Sequence, residues 1–145
     1  MGILTNIVAA EEDEIEAIGE SLHPIDEWSG IEMRGVDIPK IVTLHCLLTG
    51  DLYDDAVIHY EPLYLSATEG ALVLRLASEA TQRLAELDEE KLDAFALELA
   101  ATEDFEDAGW EPEAITAMLA ALADTARLAE SQGQELFVWL HPLRT

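Results

Sequence analysis

Hydrophobic and polar positions along this chain fall into blocks whose spacing decides which element each block can form. Ile3 to Ala10 (ILTNIVAA) is apolar and partly β-branched, the composition of a strand. Glu11 to Glu20 follows as a short helix: its acidic first turn complements the positive helix N-terminus, and Ile15 and Ile18 give it a narrow apolar stripe ending at Gly19. Ser21 to Gly35, punctuated by Pro24, Gly30 and Gly35, reads as a loop. Asp37 is placed to accept the free amides of a helix's first turn, where Pro39 loses nothing by lacking an N–H. Ile38, Ile41, Val42, Leu44, His45 and Leu48 are the inner face of that helix, and Thr49-Gly50 ends it.

Asp51 to Pro62 is irregular and acidic, and Leu63-Tyr64-Leu65 reads as a short strand. Ser66 and Glu69 have the spacing of a capping box, so the series Leu72, Val73, Leu76, Ala80, Leu84, Leu87 predicts one long helix from Ala67. Asp88 caps a further helix carrying Leu92, Phe95, Ala96 and Leu99, and Thr102 to Gly109 breaks it. The clearest helix starts at Glu111 or Pro112, with Ile115, Met118, Leu119, Leu122, Ala126 and Ala129 repeating every three or four residues. Glu135 to Leu140 (ELFVWL) is a last strand after Gly133. This order predicts an α+β fold, mostly helical, with a small sheet of about three short strands that includes the N- and C-terminal ones. Three strands need helices over one face to be stable.

The chain of 145 residues, half of them hydrophobic, is expected to form one globular domain over residues 1–145. Cys46 is the single cysteine, so no disulfide closes within the chain and a reducing compartment fits. The first twenty residues carry no basic segment before a long apolar run, and no stretch has eighteen consecutive apolar residues. A cytoplasmic setting is therefore expected, without membrane contact.

Charge narrows the picture most. Thirty-one acidic residues against seven basic ones give a formal net charge of −24. Nucleic-acid binding draws its affinity from Lys and Arg replacing counterions on phosphate, so nucleic acid is not an expected partner, nor is an anionic membrane. A basic protein is the partner such a surface favours. A background reading competes: Lys40 and Lys91 are the only lysines and Asn6 the only asparagine, a bias that a GC-rich genome or a halophile's surface also produces.

No phosphate-binding glycine loop, nucleophile elbow or His-Glu-x-x-His motif is present, and no cofactor is expected. Asp51, Asp54, Asp55 and His59 cluster, but without the Asp-x-Asp-x-Asp-Gly run and closing Glu of a calcium loop, so a solvated acidic segment is expected in place of a metal site. His45 and Cys46 are neighbours on a helix, about 100° apart, which is poor geometry for a base and its nucleophile. His45 is expected to be a buried, hydrogen-bonded packing residue. Trp28, Tyr53, Tyr60 and Tyr64 stand near irregular acidic segments, as aromatics at recognition surfaces do, although ordinary core filling is the favoured account of them.

Several segments together resemble one family, the YfbM-like bacterial proteins, a domain-of-unknown-function family. They are Met1-Gly2-Ile3 before the first strand, Val36-Asp37-Ile38-Pro39-Lys40, the element Leu44-His45-x-Leu47-Leu48-Thr49-Gly50, Tyr64-Leu65-Ser66-x-x-Glu69, and Gly133 before Leu136–Leu140. Ile41 departs from the tryptophan common in that family, and Asp51 to Pro62 lacks its Gly-rich character. The resemblance implies a small α+β fold, a bacterial cytoplasmic setting and, for some members, neighbourhood to toxin systems. It brings no activity. The expected function is a non-enzymatic interaction module whose acidic surface meets a basic protein, as an immunity protein meets its toxin. The alternative is a small enzyme or ligand-binding domain with a pocket near His45 and the 51–64 segment. Candidate binding residues are Trp28, His45, Asp51, Asp54, Asp55, His59 and Tyr60.

Overall fold

The computed structural model of the chain describes residues 3–67 and 70–142. Of the proposed capping-box pair Ser66 and Glu69, Glu69 lies outside the described residues, as do Thr68, Met1 and Gly2. The fold is α+β. A five-stranded antiparallel sheet has the order β2-β1-β5-β4-β3, formed by β1 (Leu4–Ala10), β2 (Gly30–Arg34), β3 (Tyr64–Leu65), β4 (Leu72–Arg75) and β5 (Glu135–His141). Around it run α1 (Ile15–Glu20), α2 (Ile38–Thr49), α3 (Tyr53–Ala56), α4 (Ser78–Ala85), α5 (Glu89–Ala100), α6 (Glu103–Glu106) and α7 (Pro112–Ser131). Short 3-10 turns occupy Glu12–Glu14, Pro24–Asp26 and Val57–Tyr60. No described helix is long and apolar enough to cross a membrane.

The two terminal strands pair at the centre of the sheet, from Leu4 opposite His141 to Ala10 opposite Glu135. Because strand side chains alternate between faces, these strands must satisfy two apolar layers at once. Leu136, Val138 and Leu140 join Ile7, Ala9 and Leu74 in the larger core, under α2, α4, α5 and α7. Phe137 and Trp139 join Leu4, Val8, Ala10 and Val73 on the other face, covered by Ile15 and Ile18 of α1 and by Ile25 and Trp28. Helix α7 spans the larger core and buries Ile115, Met118, Leu119 and Leu122, as its periodicity predicts. Asp37 caps α2 by accepting from the Lys40 amide at 3.2 Å, and Gly50 ends that helix at φ 84°, a conformation open to glycine.

Two expectations are corrected. The sheet has five strands, not about three. Strand β2 lies within the segment expected to be loop, and β4 occupies the start of the expected long helix, which begins only at Ser78. Leu72-Val73-Leu74 is a continuous apolar run because β4 is covered on both faces, and such a run does not distinguish a buried strand from a helix. β2 was hidden by its brevity: Ile31 and Met33 face the larger core and alternate with Glu32 and Arg34, a pattern only four residues long inside a segment punctuated by Pro24, Gly30 and Gly35.

Gly30 makes the β1–β2 pairing possible. A Cβ there would stand 2.1 Å from the Ile7 carbonyl oxygen and 2.8 Å from the Val8 Cα, both backbone atoms. Gly30→Ala is expected to destabilise the fold by about 1–3 kcal/mol, the usual cost of overpacking. An unchanged urea midpoint for that variant would mean that β2 does not approach β1 this closely.

Candidate functional site

Helix α2 carries His45 on its inner face, where the side chain is 1% exposed. The turn at Gly50 brings Asp51 back over it, and His45 Nε2 lies 2.8 Å from Asp51 Oδ2. Thr49 steadies this turn: its hydroxyl donates to the His45 carbonyl at 2.9 Å and accepts from the Asp51 amide at 3.2 Å. On the other side of the ring, His45 Nδ1 lies 2.8 Å from the buried Tyr60 hydroxyl. That oxygen also accepts from the Ala77 amide at 3.3 Å.

These partners settle the protons. Burial pushes the Tyr60 phenol up to about 12, so it stays protonated at neutral pH. With the Ala77 amide donating to it, Tyr60 donates its own proton to His45 Nδ1. The imidazole proton then sits on Nε2 and is donated to Asp51. Asp51's carboxyl is held below the usual carboxylate range, chiefly by this hydrogen bond, with the Thr49 contact and the electrostatic influence of the nearby His45 and His59 rings adding to it against a partial desolvation. The result is an ordered chain, Ala77 to Tyr60 to His45 to Asp51, ending in a charge at the surface.

His59 completes the cluster from the 3-10 turn Val57–Tyr60. Its ring centroid lies 5.6 Å from that of His45, and one ligand atom each from His45, Asp51 and His59 lie within 4.8 Å of one another. The three face a cleft of about 360 Å³, also lined by Leu63, Arg75, Ala77, Ser78 and Glu79. Sequence reasoning missed Arg75, Ser78 and Glu79, because a helix through 67–87 hides the strand-to-helix step that delivers them. Arg75 is not free: it pairs with Glu12 at 3.0 Å and with Glu135 at 3.4 Å.

Of the seven candidate binding residues, four assemble here: His45, Asp51, His59 and Tyr60. Asp54 and Asp55 are exposed on α3 and do not join the cluster. Trp28 belongs to the opposite face of the sheet, where its Nε1 donates to Glu14 Oε2 at 2.9 Å. Cys46 is no activated nucleophile, since burial raises its thiol's pKa and so favours the uncharged form.

Next to the cleft the chain departs from ordinary surface composition. Among the described residues, six of the eight exposed large hydrophobic ones lie between positions 52 and 65: Leu52, Tyr53, Val57, Ile58, Leu63 and Leu65. Leu63 belongs to both this segment and the cleft wall. Exposed carboxylates, by contrast, occur on α1, α3, α5, α6 and α7 alike, so charge alone selects no face. No protein-family model, curated protein or solved structure matches the chain.

Proposed function

We propose that the protein is a non-enzymatic interaction module whose docking surface is the 52–65 segment and whose partner is a basic protein. The concentration of Leu52, Tyr53, Val57, Ile58, Leu63 and Leu65 carries this reading. Scattered exposed leucines are normal, but six exposed apolar side chains within one short segment of an otherwise highly charged chain have the composition of an interface centre. Asp54, Asp55 and Glu61 punctuate the same segment, and none of them has an ion-pair partner among the described residues. Carboxylates without cations around apolar side chains complement a surface of leucine-like residues rimmed by Lys and Arg. Such charge sets association rate and partner choice, while the apolar centre supplies lasting contact. The resemblance to YfbM-like proteins, some of which neighbour toxin systems, points the same way and rests on the Leu-His-x-Leu-Leu-Thr-Gly element.

The test uses the full chain as bait in low salt, beside an Ile58→Asp/Leu65→Asp variant and a Leu97→Asp control on α5. Wild type and control are expected to retain the same basic protein, and the double variant to lose it. Binding should also weaken steeply as salt rises, since screening limits charge attraction to about 8–10 Å. Retention of that protein by the double variant, or recovery of no basic protein by the wild type, would overturn the reading.

A further inference from the structure

We propose that His45, Asp51 and His59 form a binding site for a divalent first-row transition-metal ion, with zinc as the simplest occupant. The site adjoins the docking surface, since His59 and Leu63 belong to the 52–65 segment as well as to the cleft, but it takes a different ligand. The acidic segment alone resembles no calcium loop; the fold adds His45, delivered from α2. Two imidazoles and one carboxylate suit zinc, iron, nickel or copper, whereas calcium and magnesium prefer all-oxygen sets.

The geometry is close to what such an ion requires. Ligand bonds of about 2.0–2.2 Å in a tetrahedron hold donor atoms roughly 3.3–3.5 Å apart. His45 Nε2 and Asp51 Oδ2, now 2.8 Å apart, would part slightly as the ion replaces the proton between them. His59 is exposed, and with the three ligand atoms within 4.8 Å of one another its side chain needs to close in by no more than about 1.5 Å. The remaining coordination positions open onto the cleft, beside Ser78 and Glu79.

The surroundings of His45 suit a ligand. Metal-binding histidines usually donate their second ring N–H to a fixed acceptor, which sets the ring's orientation. Tyr60 Oη stands 2.8 Å from Nδ1 in the buried side of the site. Metal on Nε2 leaves the neutral imidazole's proton on Nδ1, so the proton changes nitrogen and none is lost. The Tyr60–His45 hydrogen bond then reverses direction, with the phenol oxygen accepting; the phenol keeps its proton but loses His45 as acceptor, a cost that the metal–ligand bonds must exceed. Tyr60 is a positioning residue here and does not touch the ion.

The experiment is calorimetric titration of chelator-treated full-length protein with zinc at neutral pH and physiological salt, alone and with excess calcium. One equivalent is expected to bind saturably, with calcium leaving the affinity within a few-fold. His59→Ala should weaken binding at least tenfold and remove the zinc-induced rise in melting temperature, because only binding to the folded state raises it. Tyr60→Phe, which keeps the ring, should weaken affinity by about 10–100-fold, as loss of a ligand's hydrogen-bond partner does elsewhere. Three results would each overturn the site: no saturable single equivalent, equal affinity in the folded His59→Ala variant, or displacement by calcium. The last would assign the ion to the acidic surface at large.

Discussion

Replacing Leu119 with alanine is expected to lower the stability of the folded chain by about 2–5 kcal/mol, the range for truncating a buried leucine. Leu119 is fully buried in the middle of α7, which packs on α4, α5 and the sheet through β1, β2 and β5. Its neighbours therefore belong to several elements, and no single one can shift to fill the space without disturbing another. Interiors are packed as densely as organic crystals, so the vacated volume stays largely open. Two comparisons isolate packing from chemistry. Leu119→Met keeps the volume and should cost less than about 1.5 kcal/mol. Leu97→Ala, at a position 63% exposed on α5, should change stability by no more than about 0.5 kcal/mol. Urea denaturation of the three variants checks the ranking. Equal effects for Leu119→Ala and Leu97→Ala would show that α7 does not organise the core.

That helix was legible because one of its faces is apolar and the other is not, so the 3.6-residue period appears in the sequence. The cap at Asp37 and the stop at Gly50 were legible for a different reason: both depend on local backbone chemistry. The period failed where burial became two-sided. Val73 and Leu74 serve opposite faces of the sheet, and consecutive apolar residues of that kind fit a helix equally well. It failed again where the apolar alternation was too short to stand out, along the half-buried edge strand from Gly30 to Arg34. The site shows the same division. His45 and Asp51 were candidates by residue type, but their contact depends on the turn at Gly50. Tyr60, fifteen residues on, meets His45 only because the 3-10 turn at Val57–Tyr60 folds back against α2. Arg75, Ser78 and Glu79 arrive from β4 and α4, a step that no local pattern announced. Trp28 illustrates the converse: its nearness in sequence to acidic residues says nothing of its layer, and it packs on the face of the sheet opposite His45.

His45→Ala is expected to cost about 3–5 kcal/mol, the range for removing a large buried ring. Part of that loss is hydrogen bonding, and His45→Phe separates it. Phenylalanine fills the space but leaves the buried Tyr60 hydroxyl without its acceptor, an orphaning that costs about 1–3 kcal/mol. Tyr60→Phe removes the same hydrogen bond from the other end. Once either partner is gone, the second change has less to remove, so the double variant should be more stable than the sum of the two losses predicts. Contacting pairs show coupling of about 0.5–3 kcal/mol in such cycles. Asp51 adds a pH signature. Its carboxyl titrates lower in the folded chain, chiefly through the bond from His45, so its contribution is present above the unfolded value near 4. It is then lost as pH falls through the folded value. Asp51→Asn keeps an oxygen for His45 Nε2–H but cannot titrate. The stability gap between wild type and Asp51→Asn should therefore be constant between about pH 5 and 6 and close progressively below about pH 4. A gap that persists at pH 2, or additive losses in the His45/Tyr60 cycle, would mean that these side chains do not act as one hydrogen-bonded chain.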